Sequence, residues 1–195
     1  MRGSEDPPPE PMRRVFDQLE AEFEAGLRRE AEQETVAALR AQVGATAMWE
    51  QLARRTGADG VVRAGRRTVR GAVLASYPDF YVLQGTGGAQ HLVRFEATSI
   101  ALPLEPGPPQ PAPDAAVRRY TFGLALRELA RRREPVRLEL TDGTAINGTV
   151  EVVGSDYLEM AEHDIGEARR ETAVRARRFA AFTAIAFVTL PPDRR

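Results

Sequence analysis

The chain has 195 residues, 43% hydrophobic and 28% charged, with 27 basic against 28 acidic side chains and a formal net charge of -1. That composition predicts an ordered globular protein with one moderate core or two small ones, and it excludes disorder throughout. Every basic residue is Arg and there is no Cys. Disulfides, thiolate metal centres and cysteine nucleophiles are therefore excluded, which fits a reducing compartment.

Residues 1–12 are Pro-rich and acidic and predict a disordered leader. They hold no apolar run of the secretory kind, and no stretch of about 18 apolar residues occurs anywhere. A cytoplasmic protein with no membrane span is expected. From residue 13 to 44, Phe16, Leu19, Phe23 and Leu27 recur at helical spacing and predict an amphipathic helix. The stripe then drifts to Val36, Leu39 and Val43, so the helix is expected to bend or to end at Gly44. This end of the chain is acidic, with ten carboxylates against six Arg in residues 1–42. A short helix is expected from Thr46, as N-cap, to about Arg55, with Met48, Trp49 and Leu52 forming its apolar side.

An internal repeat organises the rest of the chain. Setting Leu52 against Leu129 holds the chain in ungapped register for about thirty residues. Leu-Ala-Arg-Arg meets itself, Val69 meets Ile146, Gly71 meets Gly148, Asp79 meets Asp156 and Phe80 meets Tyr157. The first copy covers 45–104 and the second 115–191, joined by a Pro-rich linker, 105–114, that reads as a semi-rigid spacer. In the second copy Phe122 to Arg133 predicts a helix burying Leu124, Leu126 and Leu129. Val136 to Leu140 and Ile146 to Val153 predict a hairpin around Asp142-Gly143, with Gly148 marking a bulge or bend. Tyr157 to Glu162 and Phe182 to Leu190 complete that copy. The first copy offers strands near 60–63, 68–75, 80–84, 91–95 and 99–104. The predicted fold is therefore mainly β with helices (α+β): two tandem five-stranded barrels, each preceded by a helix, behind an N-terminal amphipathic helix.

The segment from Val136 to Met160, with its alternating strand, Asp142-Gly143 turn, glycine-bent strand and Asp156 before an apolar strand, resembles the first motif of the Sm-like, SH3-like small barrels. The first copy follows it more loosely, with Gly65-Arg66 at the turn. The arrangement is also similar to uncharacterised actinobacterial proteins, a likeness that implies no activity. The resemblance stops short of RNA chemistry. Sm proteins hold a uridine with an Asn after the Asp and an Arg-Gly pair later, and neither copy keeps those residues.

No site for catalysis emerges. His91 and His163 are the only histidines, occupy non-equivalent places and lack clustered carboxylates, so no metal is expected. No Ser or Thr has a partnered His, no glycine-rich loop opens a helix, and no cofactor or small-molecule substrate is expected. Asp79 and Asp156 are expected to fix their turns through local backbone bonds. The chain thus reads as a non-catalytic adaptor or scaffold, with Phe16, Leu19, Phe23 and Leu27 recruiting a protein partner or a second copy. The alternative is nucleic-acid binding through Arg63, Arg66, Arg67 and Arg70 on the first hairpin, with Arg169, Arg170, Arg175, Arg177 and Arg178 in a loop inserted into the second copy.

Overall fold

The computed structural model describes residues 10–101, 114–164 and 174–192. The chain divides into two compact units, one ending at Thr46 and one starting at Ala47. The described part of the first is a single helix, α1, Glu10–Ala45. Pro11 falls in its first turn, where a missing amide is harmless, and no later Pro interrupts it. The helix therefore runs on through the drift in its apolar stripe and ends just past Gly44. The side chains of Phe16, Leu19, Phe23 and Leu27 lie outside the described residues, as do residues 102–113 and the pair Arg169 and Arg170.

The second unit is mostly β with a few helices. Its elements are α2 (Met48–Ala53), β1 (Asp59–Ala64), β2 (Arg67–Ser76), β3 (Phe80–Gly85), β4 (Gln90–Arg94), β5 (Thr98–Ala101), α3 (Ala115–Arg119), α4 (Phe122–Arg132), β6 (Pro135–Leu140), β7 (Ala145–Val153), β8 (Tyr157–Glu162), β9 (Ala176–Ala181) and β10 (Ile185–Leu190). All ten strands join one open antiparallel sheet in the order β5-β1-β2-β3-β4-β10-β6-β7-β8-β9. Among the described residues no helix is long and apolar enough to cross a membrane.

Local chemistry explains these elements. The Thr121 hydroxyl caps α4 by accepting from Leu124 N–H, and Arg133 ends the helix in the left-handed region at φ 53°. Pro135 opens β6, in which Val136 and Leu138 are buried while Arg137 is exposed. Gly143 takes φ 93° in the turn to β7, a conformation that side chains rarely adopt.

Pairing repeats between the halves. Gly71 lies opposite Gly85 and Gly148 opposite Glu162, with bulges between Val73 and Ala75 and between Val150 and Val152. The two glycines mark close backbone approach, and the bulges come two residues later. A Cβ would lie 2.4 Å from the Gln84 carbonyl oxygen at Gly71 and 2.0 Å from that of Ala161 at Gly148. The register is not ungapped. Val62 pairs with Val69 but Leu138 with Ile146, and the extra residue in the Thr141-Asp142-Gly143 turn restores the alignment.

Other expectations are corrected. Thr46 does not cap α2; Ala47 stands there and makes no side-chain bond. Residues 115–119 form α3, capped by the Asp114 carboxylate accepting from Val117 N–H at 2.9 Å. Leu124 is exposed, whereas Phe122 and Ala125 are buried. Phe182–Ala184 is a 3-10 turn before β10 rather than part of a strand, matching the 3-10 turn Phe95–Ala97 in the first half. Nor does each copy bury only its own residues. One core joins Leu52, Val73, Tyr81 and Leu83 to Ala186 and Phe187 of β10. The other joins Leu126, Leu129, Leu158 and Met160 to Phe80 and Leu92. The cause is strand alternation: Tyr81 and Leu83 face one core, while Phe80 and Val82 on the opposite face of β3 meet the other.

Candidate interaction surfaces

The halves are joined where β4 pairs with β10, Leu92 opposite Val188 and His91 opposite Thr189. Helix α4 lies over β7 of its own half, and its residues Phe122, Ala125 and Leu129 share a core with Phe80 and Leu92 from the other. Phe80 stacks on Tyr77 at 4.7 Å between ring centroids and meets Phe122 edge-on at 5.8 Å. The Arg94 guanidinium sits 5.4 Å from the Phe122 ring and pairs with Glu96. The Asp79 carboxylate, expected to fix its own turn, is used across the junction instead. Both its carboxylate oxygens accept from Phe122 N–H at 3.1 Å, so a residue of the first half supports the start of α4. A groove of about 620 Å³ runs beside this helix, with Tyr77, Val82 and Leu190 among its walls. Glu128 stands at its rim, held down to about 2 by hydrogen bonds from Arg131 and then Arg132.

Polar groups also tie the halves together. Glu139 of β6 is buried, pairs with Arg67 of β2, and accepts from Arg137 Nε at 2.8 Å. The Arg67 guanidinium also lies 5.8 Å from the Phe187 ring. His91 Nδ1 is 2.9 Å from the Thr189 hydroxyl. Burial pushes its imidazole below the ordinary value, with Arg67 acting the same way and Glu139 opposing. His163 bonds the Thr149 hydroxyl through Nε2 at 2.7 Å and the Asp164 carbonyl through Nδ1 at 3.0 Å. Among the described residues no three metal-ligating side chains gather.

No protein-family model, curated protein or solved structure matches this chain.

The described Arg residues among those singled out from the sequence stand on two separate parts of the sheet, the β1–β2 hairpin and the region of β9. Arg63, Arg66 and Arg70 are exposed on the β1–β2 hairpin, but Arg67 is committed to Glu139. Arg177 and Arg178 are not in a loop: they stand on β9, which the sequence reading missed. Arg177 Nε donates to Glu151 at 3.2 Å, Arg178 Nε to Glu162 at 2.9 Å, and Arg175 pairs with Asp164.

Two further surfaces are the sheet's lateral strands and one aromatic pair that sequence reasoning missed. Among the described residues β5 pairs only with β1 and β9 only with β8. Beside β9, Tyr157 (37% exposed) and Phe179 (70% exposed) pack together at 5.8 Å. A signal for β9 was present. Leu92 and Phe95 recur at the same spacing as Phe179 and Phe182, each pair running from a strand into a 3-10 turn. The surrounding Arg residues concealed it.

Proposed function

We propose that the chain is a non-catalytic protein-interaction scaffold whose two halves are tandem small barrels of the Sm-like, SH3-like kind. Supporting the barrel reading is the matching order of the two halves, β5-β1-β2-β3-β4 and β10-β6-β7-β8-β9, each with a 3-10 turn before its last strand. The observation that carries the scaffold reading is the open sheet whose two outer strands have no further partner among the described residues, one of them carrying part of an exposed aromatic pair. Free strand edges offer main-chain hydrogen bonds, and a neighbouring aromatic face supplies the apolar area that gives such pairing affinity. The N-terminal helix with Phe16, Leu19, Phe23 and Leu27 is proposed as a further docking element.

The test is a pull-down from the native cell with and without nuclease, comparing the natural chain with a Met48→Arg/Phe179→Asp variant. The reading predicts a nuclease-resistant partner set that the variant loses. A set abolished by nuclease would contradict it. That outcome would favour the second reading, nucleic-acid binding, for which the exposed Arg63, Arg66 and Arg70 on one hairpin are the support. Neutralising those three should then remove low-salt retention on nucleic acid.

A further inference from the structure

The internal junction has an unfilled counterpart at the far end of the sheet. By the pairing of each half, Phe80 corresponds to Tyr157 and Leu92 to Phe179: Phe80 opposes Arg94 just before one 3-10 turn, and Tyr157 opposes Ala181 just before the other. Phe80 and Leu92 are 1% and 7% exposed beneath α4, whereas Tyr157 and Phe179 stand open. Strand β4 has β10 on its outer side; its counterpart β9 has nothing there among the described residues. The first half carries the complementary parts. β5, the counterpart of β10, has no strand on its outer side among the described residues. Helix α2, the counterpart of α4, packs against β2 and leaves Met48 49% exposed, where α4 has the buried Ala125.

From this equivalence we infer that a second copy of this chain docks head to tail: its β5 extends the sheet at β9 and its α2 covers Tyr157 and Phe179. This deepens the scaffold reading by naming the partner of those surfaces. The β4–β10 register sets the contact. Phe187 opposite Val93 and Val188 opposite Leu92 translate into Ile100 of the second copy opposite Ala180 and Ala101 of the second copy opposite Phe179. Two different surfaces meet, so the interface is heterologous, and each added chain presents the same free β9 and β5 again. The sheet's twist decides whether the assembly closes into a ring.

The experiment uses the purified full-length chain, whose lack of Cys makes added thiols unambiguous. Chains carrying Ala101→Cys are mixed with chains carrying Phe179→Cys under mild oxidation. Opposed residues on antiparallel strands lie within disulfide reach, so a covalent dimer is expected in the mixture and not from either variant alone. In parallel, light scattering on the natural chain should give a mass of two or more chains. Phe179→Asp or Met48→Arg should lower it towards one at an unchanged circular dichroism spectrum. A mixture that yields no dimer, dimers formed as readily by a single variant, a natural chain that is monomeric, or a mass indifferent to both substitutions would each overturn the inference. A monomeric chain that still retained nuclease-resistant partners in the cell would refute self-assembly while leaving the scaffold reading standing.

Discussion

Replacing Phe80 by alanine probes the junction between the halves at its most enclosed point. The ring is 1% exposed and packed by Tyr77, Tyr120 and Phe122, the last two from the other half. Truncating a buried Phe costs about 3–5 kcal/mol through lost transfer energy and the cavity left behind. For a chain of this size each kcal/mol lowers the melting temperature by about 2–4 °C, so a fall of roughly 6–20 °C is expected. Tyr157, its repeat counterpart, stands open, and Tyr157→Ala should cost less than about 1 kcal/mol. Both substitutions belong in a Phe179→Asp background, so that association contributes nothing to the difference. Urea melts of the two variants give the comparison directly. If Phe80→Ala cost no more than Tyr157→Ala, α4 could not be closing the junction and the shared core would be refuted.

The same asymmetry should hold for the repeated carboxylates. Asp79→Ala, which strips the acceptor from Phe122 N–H, should cost about 0.5–2 kcal/mol, and Asp156→Ala less than about 0.5 kcal/mol, by chemical denaturation. Gly148→Ala should lose about 1–3 kcal/mol, because a methyl group there meets the Ala161 carbonyl and the backbone must move. His91 gives a pH dependence of defined sign. Burial makes the folded state take up a proton on this imidazole less readily than the unfolded chain, which does so near the ordinary value of about 6.5. Its contribution is therefore intact above about pH 6.5 and is lost as pH falls through that value. Urea midpoints measured between pH 7.5 and 5.5 should drop in the natural chain and drop less in His91→Gln.

Much of the second unit was legible because its strands alternate and its turns carry their own chemistry. Val136 and Leu138 against Arg137, and Gly143 in the left-handed turn, are local statements that the structure repeats. The repeat was legible too, although a one-residue shift across β1 and β6 escaped an ungapped comparison. What the sequence hid was non-local. Nothing around Asp79 announces that its carboxylate supports a helix forty residues on, and Glu139 reads as a solvent position on an alternating strand until Arg67 arrives from another element. Strand β9 was hidden by its composition, since Arg177 and Arg178 look like a solvated loop until the carboxylates of β7 and β8 stand beside them. The sharing of cores between the halves depends on both faces of β3 being apolar, which a single-face pattern does not reveal.

Residue-level hydrogen exchange, comparing the natural chain with Phe179→Asp, tests the continuity of the sheet most directly. The amides of β4 should exchange slowly in both proteins, because β10 covers that strand within each molecule. The β9 amides that point towards β8 should also be slow in both, whereas those that point away from β8 should be slow in the natural chain and fast in the variant, because a second chain is what covers them. Equal rates in the two proteins for the β9 amides that point away from β8, or fast exchange along β4, would contradict a sheet that is continuous within the chain and extended between chains.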